Sequence, residues 1–475
     1  MPAFLSPLLI LLAAGPAAQQ QMGFGDSVQL PTFGLQGTDH ATLAVNRWGD
    51  VCVLYHARMP SGQILTEMQV IRYVGTGLWE SSVADHLLLG DPTLDVYGSQ
   101  RDNCAKPAVA ALDDGSFCAV WPRTDKQDPL VGRLEGARIL VRDVQGYFLP
   151  TLTLITAAQG EGFVLDPLAP AGDAGIMPDL CTLAGGLAAV AYVVEDSRSF
   201  GAGGVIYRDH ALRIVKLDWS AVPGQSGFLD GPWVAANGIA LDHTPLYPLV
   251  GGLVLPDIVP DDLENLVLAW EQYRVAGHPG YAGGDRGEVV VRRLEALNSA
   301  SPLLVLDESV FTASAAARQQ RRPSLSATRL DTGNDVLLGW SDLKYLPFFS
   351  DKIQVRQILY PASNAAGQSL VEDRFWTNDP NWDDGYPATS LTSARQLCFA
   401  SRQFPARRQI LASSHTAATM YQVPTIVQHP QRPAVEVLEA TNPSGGNLSV
   451  LFITYEGANL EDSTLYRIHF GIFRL

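Results

Sequence analysis

The stretch that decides the fold is Lys106-Pro-Ala-Val-Ala-Ala-Leu-Asp-Asp-Gly-Ser-Phe-Cys-Ala-Val-Trp121. It contains a short apolar run after a proline, an Asp-Gly turn signal, and a second apolar run that ends in tryptophan. Asp-Gly between two strand-like runs indicates a β-hairpin. A short, continuous apolar run is typical of a strand that is buried on both faces. The stretch therefore predicts two neighbouring strands, which we call A and B, in a sheet that is packed on both sides.

Strand A recurs along the whole chain, and all of its copies but the first carry the proline. The copies start near His40, Lys106, Met177, Leu255, Arg322, Tyr386 and Arg432. A proline at the first residue of a strand removes no hydrogen bond from the ladder. It also pushes the preceding residue towards an extended conformation. We therefore expect each copy to begin a strand, with an extended residue before the proline.

Two more strands accompany each copy of strand A. Strand B ends at Tyr55, Trp121, Ala191, Trp270, Trp340, Ser401 and Tyr455. A later strand C carries a cation at Arg72, Arg142, Lys216, Arg292, Arg356 and Arg467. The sixth copy has no cation of this kind, and Gln409-Ile-Leu-Ala-Ser413 is the candidate for its strand C. Because the cation recurs, we expect it to do a structural task, packing along a blade or pairing with an acid on a neighbour.

Seven copies of a three- or four-stranded meander predict an all-β protein, a seven-bladed β-propeller that spans residues 24–475 as one domain. One meander cannot bury both of its faces, but meanders stacked around an axis can. Tandem β-sandwiches are the alternative, and they need about seven strands per domain. The chain ends at Leu475 in strand C of the seventh copy. The outer strand of that blade must come from elsewhere, and residues 27–33 are the candidate.

Charge and the N-terminus indicate where the protein works. The formal net charge is −16, which argues against nucleic acid and anionic membranes as partners. Residues 1–20 contain an apolar run that is too short to span a bilayer, followed by small residues and Gln19-Gln-Gln21. This pattern is typical of a secretory signal peptide, although no Lys or Arg precedes the run. We therefore expect a secreted or periplasmic protein without a membrane span, and we expect a monomer.

The five cysteines predict free thiols rather than a disulfide framework. Their number is odd and their spacing irregular, at Cys52, Cys104, Cys118, Cys181 and Cys398. Three of them occupy the same register of strand B in different blades. Packed sheets lie about 10 Å apart, whereas the Cα atoms of a disulfide lie within about 7 Å.

Residues 107–121 resemble the blades of bacterial extracellular repeat proteins, which read Pro-x-Val-Ala-x-Leu-x-x-Gly-x-x-x-Val-x-Trp. The valine of the second strand stands one place later here, and Gly136-Ala-Arg-Ile-Leu-Val-Arg-Asp-Val-Gln-Gly146 resembles the next strand of that family. Such repeats are also distantly similar to sialidase-like propellers, but their Asp-box, Ser-x-Asp-x-Gly-x-x-Thr-Trp, is absent from this sequence. The resemblance implies a propeller fold and export, and it implies no reaction.

The residues before the prolines are the first candidate site. Strand A is the innermost strand of a propeller blade, so these positions should ring one mouth of the central channel. The polar members of the ring are His40, Lys106, Arg322, Tyr386 and Arg432. They predict a site for carboxylate, sulfate or phosphate groups of a glycan. The alternative is that they pair with nearby acids such as Asp39 or Asp102, or face solvent.

The second candidate is the acidic and aromatic segment 373–386. Trp376 and Trp382 are candidates for stacking on sugar rings, and Asp379, Asp383 and Asp384 are candidate catalytic acids. A glycosidase needs two carboxyl groups about 5 to 9.5 Å apart. The alternative is a loop whose tryptophans pack under the blade. No EF-hand spacing is present, so we expect no cofactor, with calcium at this segment as the alternative.

Three hypotheses of function follow. Neither HExxH nor Gly-x-Ser-x-Gly occurs in the chain. We therefore prefer a non-catalytic binding or scaffolding propeller whose partner is an anionic glycan or a protein. The second hypothesis is a glycan-active enzyme, a glycoside hydrolase or a lyase, that uses the acidic and aromatic segment. The third is a structural envelope protein.

Overall fold

The chain folds into seven antiparallel β-sheets, as seen in a computed structural model. The structure describes residues 20–32, 37–58, 64–89, 107–124, 132–155, 176–200, 206–219, 228–241, 252–261, 265–274, 286–295, 304–311, 318–330, 333–344, 350–361, 369–375, 383–391, 396–403, 408–414, 420–427, 430–441, 447–458 and 466–475. Residues 1–19, which include nearly all of the expected signal peptide, lie outside this part of the chain.

Four blades come from the first part of the chain. Blade one is β3 (Gly37–Val45), β4 (Val51–Arg58), β5 (Ile64–Gly75) and β6 (Leu78–Leu88), with β1 (Gln20–Met22) added at its outer edge. Blade two is β7 (Ala108–Ala111), β8 (Phe117–Thr124), β9 (Gly132–Arg142) and β10 (Phe148–Ile155). Blade three is β11 (Ile176–Leu183), β12 (Leu187–Phe200), β13 (Ile206–Asp218) and β14 (Phe228–Leu241). Blade four is β15 (Gly252–Pro260), β16 (Leu266–Arg274), β17 (Arg286–Glu295) and β18 (Leu304–Phe311).

Three blades complete the ring. Blade five is β19 (Arg318–Leu330), β20 (Gly333–Lys344), β21 (Ser350–Pro361) and β22 (Ser369–Phe375). Blade six is β23 (Asp383–Leu391), β24 (Gln396–Gln403), β25 (Arg408–Ser414) and β26 (Met420–Gln422). Blade seven is β27 (Gln431–Thr441), β28 (Asn447–Ala458) and β29 (Tyr466–Arg474), with β2 (Ser27–Gln29) as its outer strand. The prediction of a seven-bladed β-propeller is confirmed, and β25 is the strand C expected in the sixth copy.

The ring closes through the innermost strands and through the N-terminus. Each first strand contacts the first strand of the next blade, and β27 contacts β3. The strand β2 pairs antiparallel with β29, with Val28 opposite Phe470. The expectation that residues 27–33 complete blade seven is confirmed for residues 27–29. The strand β1, which pairs with β6, was not predicted, since its Gln-Gln-Met sequence carries no strand signal.

A hydrophobic cluster fills each junction between neighbouring blades. The aromatic residue of strand B packs towards the preceding blade, as Trp270 does against blade three and Trp340 against blade four. In blade three the register puts Tyr192, not Ala191, at this position, because Asp179 pairs with Ala191 as Asp257 pairs with Ala269. Cys52, Cys118, Cys181 and Cys398 are buried free thiols, and Cys104 lies outside the described residues.

The prolines mark bulges inside the first strands. In six blades the pairing with the second strand skips two residues, the proline (Ala41 in blade one) and the residue before it. Proline donates no hydrogen bond, and a bulged residue needs none. His40, Met177 and Arg432 have φ values of 51°, 51° and 46°. The expectation that strand A begins at the proline is therefore wrong in these six blades, whereas β7 of blade two begins directly after Pro107. The expectation that the preceding residue is extended is wrong for Met177 and Arg432, and for His40 at the equivalent position of blade one.

The antiparallel meander gives the propeller two different ends. The first strands begin and the second strands end at one end, which we call the loop face. The turns between first and second strands, such as Asn46–Asp50 and Leu112–Ser116, lie at the other end, which we call the turn face. The bulges lie in the part of the first strand that is closer to the loop face.

Candidate functional site at the loop face

The described residues before the prolines lie on the bulges of the first strands, in the half of each strand that is closer to the loop face. His40 and Arg432 are partly exposed members of this set, on the bulges of β3 and β27. Arg322 and Tyr386 occupy the equivalent backbone positions of β19 and β23. Lys106 lies outside the described residues.

A buried carboxylate, Glu456, joins His40 and Arg432. Arg432 Nη1 donates to Glu456 Oε1 at 3.0 Å and to Oε2 at 3.2 Å. The backbone N–H of His40 donates to Oε1 at 3.0 Å, and Gln431 Nε2 donates to Oε2 at 2.9 Å. Both carboxylate oxygens of Glu456, which is 1% exposed, are therefore engaged from two blades.

The register of blade seven explains this position of Glu456. Gln431, the last paired residue before the bulge of β27, lies opposite Glu456 of β28. The carboxylate therefore stands beside the bulge, close to β3 of blade one. Thr38 Oγ1 accepts the N–H of Ile468 at 2.8 Å and ties the same two blades together. We call this junction between blades seven and one the seam.

Arg432 is charge-compensated at the seam. Its guanidinium forms an ion pair with Glu456, and a quarter of its side chain is exposed (25%). The ring of His56, which is buried, lies 6.0 Å from that of His40. The acid that pairs with Arg432 is thus Glu456, which the sequence did not suggest, while Asp102 lies outside the described residues. The site combines a cation, an imidazole and a carboxylate.

A second polar cluster lies beneath the N-terminal segment in blade one. Glu67 Oε2 lies 3.0 Å from His86 Nε2, and Thr32 Oγ1 donates to Glu67 Oε1 at 3.1 Å. The hydroxyl of Tyr55 donates to the carbonyl of Pro31 and lies 3.2 Å from His86 Nε2. Burial, followed by the nearby charge of Glu67, raises the pKa of Tyr55. Sequence reasoning missed this cluster, because its members lie on three strands and a connecting segment.

The acidic and aromatic segment begins and ends in strands. Residues up to Phe375 belong to β22, and Asp383 and Asp384 open β23, with their Cα atoms opposite Gln403 and Arg402. The backbone of both aspartates therefore lies at the loop face, on the same strand as the Tyr386 bulge. Trp376, Asp379 and Trp382 lie outside the described residues.

The cations of strand C have structural partners. Arg142 of blade two forms an ion pair with the fully buried Asp50 of blade one. Arg72 pairs with Asp85 and donates to the carbonyl of Leu149 in the next blade at 2.9 Å. The expected pairing with acids and with neighbouring blades is confirmed for these two arginines.

Among the described residues, no group of three metal-ligating side chains is present. Within the same part of the chain, no helix is long and apolar enough to cross a membrane.

Comparison with known proteins finds distant structural neighbours of the chain. No protein-family model and no curated protein matches the chain. An α-L-arabinanase of Penicillium chrysogenum with bound arabinobiose is similar to it at 13% identity and a TM-score of 0.43, covering 78% of this chain and 93% of the other. The polysaccharide lyase Uly1 is similar at 10% identity and a TM-score of 0.44, covering 91% and 89%. A mutant of the NanB sialidase of Streptococcus pneumoniae is similar at 9% identity and a TM-score of 0.35, covering 96% and 98%.

These neighbours correct the preferred hypothesis of function. The sheet topology shows the propeller fold, and the NanB sialidase is a distant structural neighbour of the chain. The preferred hypothesis, a non-catalytic binding or scaffolding module, is contradicted, because the neighbours named above are a glycoside hydrolase, a lyase and a sialidase.

Proposed function

We propose that the chain is a glycan-active enzyme that binds an acidic polysaccharide across the channel mouth on the loop face. The observation that carries the proposal is that His40 of blade one and Arg432 of blade seven both donate a hydrogen bond to the same buried carboxylate, that of Glu456. The likeness to other propellers gives the fold, and the argument for activity rests on these side chains.

The residues at the seam suit β-elimination from a uronate-containing glycan. In that reaction a base removes the proton next to the carboxylate carbon, a carbon–carbon double bond forms, and the glycosidic carbon–oxygen bond on the neighbouring carbon breaks. The leaving oxygen takes up a proton. The imidazole of His40 can act as the base. Arg432 can stabilise the substrate carboxylate, on which charge develops, through charge-assisted hydrogen bonds.

Glu456 itself is not the reacting carboxylate, because it is buried and both of its oxygens already accept hydrogen bonds. Hydrolysis is the second candidate reaction, and it would use Asp383 and Asp384. The observation in its favour is that the backbone of β23 starts at the same face.

A screen for products tests the function and separates the two reactions. The purified protein is incubated with polygalacturonate, alginate, hyaluronan and chondroitin sulfate, and with neutral arabinan. Elimination produces both new reducing ends and the ultraviolet absorbance of an unsaturated sugar, whereas hydrolysis produces reducing ends alone. We expect unsaturated products from an acidic polysaccharide. Products from none of the five would overturn the proposal.

Substitutions then test the assignment of residues. His40→Asn keeps a residue that tolerates positive φ and should lower kcat about 10²- to 10⁴-fold, the usual contribution of a general base. Arg432→Gln should raise KM about tenfold or more, the loss of a hydrogen bond to a charged group. Thr76→Asn is the matched control, since Thr76 is an exposed residue with positive φ, in the turn between β5 and β6 at the turn face. Loss of activity in Asp383→Asn and Asp384→Asn, with His40→Asn active, would instead support hydrolysis.

We also propose that the protein is exported and acts as a monomer outside the cytoplasm, as a bacterial extracellular repeat protein without a bound cofactor. The N-terminal residues 1–20 and the repeat pattern support this. N-terminal sequencing of the protein secreted by a bacterial host tests it, since cleavage should remove the apolar run and leave Met22 in place.

A further inference from the structure

The seam holds the two proposed functional residues through the side chain of Glu456. In blades three to six the junctions are tied by the side chain that follows the proline. Asp179 Oδ2 accepts the N–H of Ile258 at 2.8 Å, and Asp257 Oδ2 accepts that of Leu325 at 3.0 Å. Ser324 Oγ accepts the N–H of Thr389 at 3.0 Å. These ties connect the first strand of one blade to the first strand of the next.

Glu456 also accepts a backbone N–H from the next blade, but it lies on the second strand of its blade and not on the first. It stands on the second strand of blade seven and accepts the N–H of the bulge residue His40. A left-handed conformation is strained for a non-glycine residue such as His40, and the hydrogen bond to Glu456 acts on that residue directly. The same carboxylate fixes the guanidinium of Arg432 through its Nη1.

We infer that Glu456 is a positioning residue, which sets His40 and Arg432 in register with one another across the seam. The inference rests on the proposed function. Glu456 does not contact substrate in this role. The activity depends on Glu456 because it fixes the position of His40 on blade one relative to Arg432 on blade seven.

Glu456→Gln and Asp179→Asn form a matched pair of test variants. Each replaces a carboxylate that accepts an N–H from the next blade by an isosteric amide. Asp179 holds Ile258, which has no role in the proposed reaction. It is a matched control because it lies close to Met177, whose φ is the same as that of His40. Both variants are assayed on whichever of the five polysaccharides the wild type cleaves, at a temperature where circular dichroism shows both to be folded.

We expect Glu456→Gln to lower kcat and raise KM, each at least tenfold, and Asp179→Asn to change each less than twofold. Glu456→Asp keeps the charge with a shorter reach, so it should retain more activity than Glu456→Gln. In double-mutant cycles, Glu456→Gln should be non-additive with Arg432→Gln in KM and with His40→Asn in kcat, because residues that act as a unit do not contribute independently.

Two results would overturn the inference in distinguishable ways. If the wild type cleaves none of the five polysaccharides, the proposed function fails and the inference fails with it. If the wild type is active and Glu456→Gln retains the kcat and KM of Asp179→Asn, the proposed function stands and the positioning role is wrong. Additive effects in both cycles would likewise reject the role while leaving the function intact.

Discussion

The seam between blades seven and one and the junction between blades four and five solve the same packing problem differently. Between blades four and five, Asp257 on one innermost strand holds the N–H of Leu325 on the next. At the seam the position after the proline is Ala434, which has no acceptor. Glu456, Thr38 and the N-terminal strand β2 make the connection there instead.

The consequence of this difference is that one carboxylate at the seam holds two partly exposed polar residues. A carboxylate on the first strand, such as that of Asp257, accepts a backbone N–H of the next first strand. A carboxylate on the second strand reaches the bulge of its own blade and that of the next, and so brings Arg432 and His40 together. The outer strand of blade seven, β2, comes from the other end of the described chain. The stability of the seam therefore depends on residues 20–32.

Removal of residues 20–32 should have the largest effect, since it opens the seam alone. Met22, Val28 and Leu30 are almost fully buried in the cluster between blades one and seven. Full burial of such side chains contributes about 1.5–3 kcal/mol each, so the truncated protein should lose on the order of 5 kcal/mol or more of its free energy of unfolding. Urea denaturation measures the loss.

Two further measurements show whether the loss comes from the seam. The truncated protein should self-associate in size-exclusion chromatography, because β29 becomes an exposed edge strand. A synthetic peptide of residues 20–32 should restore stability, whereas a peptide with Val28→Asp and Leu30→Asp should not. A truncated protein that remains as stable as the full chain would show that β2 does not close the ring.

Acid should weaken blade seven, on its side towards blade six, more than it weakens the equivalent side of blade four. His469 lies on β29, opposite Gln29 of β2, and its ring stacks on Tyr455 at 5.4 Å. Burial lowers the pKa of His469 from 6.5 to about 4. The folded protein therefore binds fewer protons than the unfolded chain between these values, and the free energy of unfolding falls as pH drops through them. The full loss is on the order of 3 kcal/mol at 1.36 kcal/mol per pKa unit.

His469→Phe tests this contribution, because phenylalanine keeps a ring against Tyr455 and does not titrate. The equivalent position of blade four is already the apolar Val290, opposite Trp270. Urea denaturation at pH 7 and pH 4.5 should show a smaller loss of stability in His469→Phe than in the wild type. The same loss in both proteins would remove His469 as its cause.

The seam contains both features that could be predicted from the sequence and features that could not. Apolar strand cores and turn residues repeat locally, so the blades, their number and the closing strand could be predicted. The bulges could not, because the rule for residues before proline considers one strand, while the left-handed conformation of His40 and Arg432 depends on pairing with a second strand. The sequence placed both residues at one mouth. It could not reveal Glu456 as their partner, since that contact requires the bulged register of β27 against β28.

Loss of the tie between blades four and five should have the smallest effect of the three, and it should leave the seam intact. Asp257→Ala removes the acceptor of the Leu325 N–H and so resembles the natural Ala434 of the seam. A hydrogen bond to a charged group contributes about 1.5–3 kcal/mol, and partial exposure of Asp257 places the expected loss near the lower end. Asp257→Asn is the control, because its amide oxygen can still accept the bond, and it should lose less than half as much. Equal losses in urea denaturation of the two variants would indicate that the charge of Asp257, and not its hydrogen bond, holds blades four and five together.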